Sequence, residues 1–74
     1  MGLNMGQLKK QFGQRIQTLR RSEKMTQEQL ANDVGITIES ISNIERGIHG
    51  PTFDNLEKIA NALKMPVKSL FVFD

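Results

Sequence analysis

Seventy-four residues make room for one domain, and with no cysteine neither a disulfide nor a thiolate metal site can staple it. Net charge is +2 but uneven: residues 1–24 hold six basic residues against Glu23 alone, while residues 25–74 hold four basic and seven acidic ones. A basic first third is compatible with an anionic partner, and equally with a solvated face on the first helix.

Residues 1–6 are expected to be disordered. From there the chain reads as short apolar-periodic segments divided by Gly35, Gly47, Gly50, Pro51 and Pro66, with no period-two alternation to suggest strands. Leu8, Phe12, Ile16 and Leu19 recur at spacings of four, four and three, the inner face of a first helix that fades near Ser22. Thr26 and Gln29 form a capping box, and Met25 with Leu30 a hydrophobic staple, so a second helix runs from Gln27 to Val34. Gly35 follows where a left-handed residue is wanted. Thr37 caps a third helix, with Ile36 and Ile41 as its staple, Ile41 and Ile44 inward, and Gly47 as its stop. Thr52 caps a fourth, whose inner face is Leu56, Ile59, Ala60 and Leu63. Pro66 suits the start of a short fifth helix with Val67, Leu70 and Phe71. The expected architecture is a compact, all-α, five-helix domain over residues 1–74.

Residues 27–46 are the informative stretch. Two short helices joined only by Gly35, Ile36 and Thr37 are forced to cross steeply, which requires a small residue at the contact. Ala31 provides it, and Gly35 the turn, above a seam of Leu30, Val34, Ile41 and Ile44. The outer face of the third helix is left with Ile38, Glu39, Ser42 and Asn43. An exposed helix about as wide as the major groove, with short side chains at its N-terminal end, is suited to reach base edges. The positive ends of the second and fourth helices are suited to phosphates.

The ordered pattern Gln27-Glu-Gln-Leu-Ala31, Gly35, Ile41-Ser-Asn-Ile-Glu45-Arg-Gly47, Pro51 and Leu56-x-x-Ile59-Ala60-x-x-Leu63 resembles the phage-repressor (Cro/repressor, Xre-like) helix-turn-helix family across residues 8–71. The resemblance implies a lambda-repressor-like fold. It also implies a homodimeric transcriptional regulator, by default a repressor, that binds a palindromic double-stranded DNA operator. Ile38, Glu39, Ser42 and Asn43 match base-contacting positions. Gln27, Thr37, Arg46, His49 and Thr52 match phosphate-contacting ones, Gln27 also being able to touch a recognition-helix side chain. Arg20 and Glu45 match a buried structural ion pair.

Asn43 can pair bidentately with adenine, Glu39 can accept from cytosine N4 or serve the helix surface, and Ile38 offers only apolar contact, as to a thymine methyl. Where the family often has Lys or Arg after the recognition helix, this chain has Ile48, His49 and Gly50. Phosphate contact there is left to backbone N–H groups of the loop and of the fourth helix.

Enzymatic readings find little. His49, the one histidine, sits in a Gly-rich loop without a nucleophile, and neither a metal-ligand cluster nor a phosphate-binding Gly motif is present, so no metal, cofactor or small-molecule ligand is expected. No apolar run approaches the roughly 20 residues of a membrane span, and Met1 to Met5 do not read as a signal peptide, so a cytoplasmic protein is expected. The rival class is a protein-interaction module such as an antitoxin; a restriction–modification controller protein is a further variant of the regulator. The apolar ending exceeds what a short helix should bury, so Leu70, Phe71 and Phe73 are candidates for a dimer contact, or equally for core and terminus.

Overall fold

The computed structural model describes residues 7–73; the expectation for residues 1–6 lies outside them. Four α-helices, α1 (Gln7–Ser22), α2 (Gln27–Val34), α3 (Ile38–Glu45) and α4 (Phe53–Ala62), are followed by a 3-10 helix, Val67–Phe71. Among the described residues there is no strand, and no helix is long and apolar enough to cross a membrane.

Side-chain caps start three of the helices. Thr26 Oγ1 accepts from Gln29 N at 3.0 Å while Gln29 Oε1 accepts from Thr26 N at 2.8 Å, a reciprocal capping box. Thr37 accepts from Ser40 N at 3.0 Å and Thr52 from Asn55 N at 3.1 Å. Gly35 closes α2 in the left-handed region at φ 85°. α1 and α4 end without glycine: Lys24 and Lys64 take φ 58° and 61°, and the N–H groups of Met25 and Met65 bond back to Arg20 O and Ala60 O at 3.0 Å each. Those bonds offset the steric cost of the left-handed conformation in a residue with a Cβ.

α1 packs across α3, and α2 rests on both α3 and α4. The core is Phe12, Ile16 and Leu19 of α1, Leu30, Ala31 and Val34 of α2, Ile41 and Ile44 of α3, and Ile59, Ala60, Leu63 and Leu70 beyond. Ile16, Leu30, Ile41, Ile59, Leu63 and Leu70 are fully buried, each stabilising the fold by about 1.5–3 kcal/mol relative to exposure.

Three expectations are corrected. The fifth helix is 3-10: Ser69 N bonds to Pro66 O at 2.9 Å, three residues back, and Arg15 Nε of α1 claims the Ser69 carbonyl at 3.1 Å. A segment of only five residues is too short for an α-helix to nucleate and propagate, and runs of this length take i→i+3 bonds. Leu8 does not join the inner face; it is exposed at the first turn of α1, past the end of the core. Leu70, a candidate for a dimer contact, is wholly enclosed by its own chain and has no surface to offer a second copy.

The periodicity of α1 says nothing about Gly13, yet Gly13 sets the distance between α1 and α3. A Cβ there would overlap the Ile44 carbonyl oxygen and lie 2.7 Å from that of Glu45, both backbone atoms at the end of α3. Gly13→Ala should therefore destabilise the domain by about 1–3 kcal/mol. An unobstructed helical glycine would instead gain about 1 kcal/mol from the same change. Denaturant unfolding reads the sign directly.

Candidate nucleic-acid interface

α3 has only eight residues, too few to be stable alone, so its geometry comes from what grips it. Beneath it Ile41 and Ile44 face the core, and at its N-terminus Thr37 both caps Ser40 N and donates to Ser40 Oγ at 2.9 Å. The C-terminus is held by a charged clasp. Arg20 of α1 donates to Glu45 through Nε, 2.6 Å from Oε2, and through Nη2, 3.1 Å from Oε1, a two-pronged pair with both side chains buried. Arg20 Nη1 also donates to Met25 O at 2.7 Å, tying in the turn before α2. Gln27 of α2 and Gln17 of α1 complete the shell, donating to Glu45 Oε1 at 3.0 and 3.4 Å.

Burial alone would push the Glu45 carboxyl up. The hydrogen bonds from Arg20, Gln27 and Gln17, with the Arg20 charge, outweigh it and hold the group below the ordinary carboxylate range.

The face left outside carries the residues singled out for base contact. Ile38, at 46% exposure, and Glu39 stand free on the first turn, with Ser42 and Asn43 half-buried one turn on. The four lie on one side of α3, opposite the Ile41–Ile44 seam. The residues assigned to phosphate divide. Arg46 and His49 are exposed just beyond α3, and Thr52 is exposed at the start of α4, its hydroxyl accepting the cap bond. The Thr37 hydroxyl is already used twice in its own cap. Gln27 has turned one amide N–H inward to Glu45, so it touches the end of α3. The loop's backbone donors are also engaged: Gly47 N bonds to Ile44 O at 3.0 Å, and Ile48 N and His49 N to Asn43 O at 2.9 and 3.4 Å. The expectation that these N–H groups meet phosphate is thus corrected for residues 47–49; the open ends of the α4 N-terminus remain.

Sequence reasoning missed Gln17 as well as Gly13. A glutamine on the flank of an amphipathic helix carries no signal, and only the crossing of α1 over α3 brings it to Glu45. Ala31, expected at the crossing of α2 and α3, is 1% exposed and part of the core. Among the described residues no group of His, Asp and Glu is placed to hold a metal ion.

Removing either partner of the clasp leaves a buried charge alone, so Arg20→Met or Glu45→Met should cost about 3–5 kcal/mol. The double substitution Arg20→Met/Glu45→Met should cost less than the two singles together, as a denaturation cycle would measure. Because the folded Glu45 carboxyl titrates below its unfolded value, its contribution is whole above about pH 4.3. It is lost as pH falls through the lowered folded value. Acid unfolding of Glu45→Gln should lack that component.

The helix-turn-helix family (HTH_3) matches residues 16–70. Control protein C.BamHI of Bacillus amyloliquefaciens is 41% identical over 63 residues, 84% of this chain and 78% of the relative. The transcriptional repressor RghR of Bacillus subtilis is 40% identical over 60 residues, but this chain spans only 44% of its length. Among solved structures, the restriction-modification controller protein C.AhdI from Aeromonas hydrophila superposes with a TM-score of 0.83 at 33% identity, covering 85% of this chain and 96% of that one. With the α2–turn–α3 geometry and its outward α3 face, these matches place the chain in the Xre-like, phage-repressor type of the helix-turn-helix family, the DNA-binding transcriptional regulators.

Proposed function

We propose that the chain binds a palindromic duplex operator as a homodimer, with α3 in the major groove, and that it represses transcription by occluding polymerase. The observation that carries this reading is the outer face of α3, where Ile38 and Glu39 are exposed and Ser42 and Asn43 half-buried, while the end of the helix is locked to α1 and α2 through Glu45. Asn43 pairs with an adenine edge, Ile38 meets a thymine methyl, and Glu39 accepts from cytosine N4. Arg46, His49 and Thr52 contact the backbone. The work is binding without catalysis, in the cytoplasm.

With Leu70 enclosed, the dimer contact is carried by Phe71, with Phe73 beside it. The Phe71 ring packs tilted against Phe12 at a centroid distance of 5.0 Å and against Phe73 at 6.2 Å, and it stays 39% exposed. Phe53, 87% exposed, and Leu8 line the same shallow apolar hollow of about 160 Å³. Two copies joined there would present their α3 helices to half-sites about 34 Å apart. A role as a restriction–modification controller is the second reading, supported by the similarity to C.BamHI and C.AhdI over most of their lengths.

Selection of bound duplexes from a random pool should return a two-fold symmetric site. Asn43→Ala should lose about 1–3 kcal/mol on that site and relax the preference at one base pair in each half. Failure to enrich any sequence at low and moderate salt would instead favour a protein-interaction module such as an antitoxin. Sedimentation at micromolar concentration should show a dimer, weakened by Phe53→Ser. A monomer both free and on DNA would overturn the dimer.

A further inference from the structure

The stretch after α3 has little with which to grip phosphate. Residues 47–50 contain neither Lys nor Arg, the N–H groups of residues 47–49 are engaged within the chain, and Pro51 has none. Another element lies directly against this stretch: the first turn of α1. A Cβ on Gly47 would stand 2.9 Å from both Cα and Cγ of Lys10, and one on Gly50 would stand 3.9 Å from Cγ of Lys9. Two consecutive lysines thus straddle the loop, one at each glycine. Gly47 has φ 77° and no side chain, which is what lets Lys10 come so close.

Both lysines are exposed, and neither has a carboxylate partner among the described residues, where Arg20–Glu45 is the one ion pair. With Cγ already at the loop, each ammonium has three further bonds of reach beyond it. An unpaired, solvated ammonium beside a helix read into a groove costs little to desolvate partly and releases a counterion on meeting phosphate. Arg46 is otherwise the only Lys or Arg of α3 and the loop that follows it.

We propose that Lys9 and Lys10 form a phosphate clamp on the duplex backbone, delivered to the loop after α3 from the opposite end of the sequence in place of the cations that loop lacks. The proposal rests on the DNA-binding reading above and adds its electrostatic anchor. Lys9 also lines the apolar hollow beside Phe53 and Phe71, so the test must separate backbone contact from dimer contact.

The variant Lys9→Gln/Lys10→Gln is to be titrated over a salt series with the selected operator and with a mixed-sequence duplex. The slope of log affinity against log salt should become shallower by about 0.9 for each lysine in each bound protomer. Both duplexes should weaken by the same factor, leaving their ratio unchanged, and Lys9→Arg/Lys10→Arg should restore the slope. Lys64→Gln, at the far end of α4 from Thr52, should keep it. Sedimentation and thermal melting should match the parent chain, since both side chains are exposed. An unchanged slope overturns the clamp, as does a loss of affinity that tracks a change in sedimentation. If the parent chain binds neither duplex, the DNA-binding reading itself fails, and the clamp with it.

Discussion

Between Arg20 and Glu45, a two-pronged ion pair joins the end of the first helix to the end of the third, and the outward face of this domain depends on it. An eight-residue helix cannot hold its own direction, and two isoleucines on its inner side fix its depth without fixing its rotation about the long axis. A buried carboxylate that must keep four hydrogen bonds does fix it. Moving α3 by a fraction of a turn would strand charge in a site too dry to solvate it. Gly13 works with the clasp by letting the α1 backbone approach the last carbonyls of α3, which brings Arg20 and Gln17 within reach of Glu45.

The side of α3 that positions the helix and the side left to solvent are therefore separate. Residues whose side chains point inward, Ile41, Ile44 and Glu45, determine where the helix lies. Those on the outer side, Ile38, Glu39, Ser42 and Asn43, can be exchanged without disturbing the core. Gln27 sits at the junction, at the start of α2 but turned toward Glu45, so its amide helps to steady the end of α3.

Charge follows the same division. The basic first third of the chain is not a uniform solvated face. Arg20 is enclosed and neutralised by Glu45, Arg15 is drawn into the Ser69 carbonyl, and Lys9 and Lys10 lie against the glycines that follow α3. A count of basic residues could not distinguish these three fates, because they differ only in what the folded chain places beside each one.

Helix starts, helix order and the turn between α2 and α3 were legible in the sequence, since each is a local matter. Thr26 with Gln29, Thr37 and Thr52 cap within three residues, Gly35 turns within one, and the apolar spacing of four and three marks which side is buried. The resemblance to a known family added Arg20 and Glu45 as a pair. Everything else that depends on residues far apart in the chain waited for the tertiary structure. Leu8 fits the periodicity of α1 but overhangs the core, Leu70 is enclosed and not available as a dimer contact, and the five-residue last segment winds as a 3-10 helix. The two glutamines on Glu45, the closeness that demands Gly13, and the lysines laid over Gly47 and Gly50 have no local signature. Caps and periodicity are short-range physics that a linear string records; the neighbours of a side chain are decided only when the helices cross.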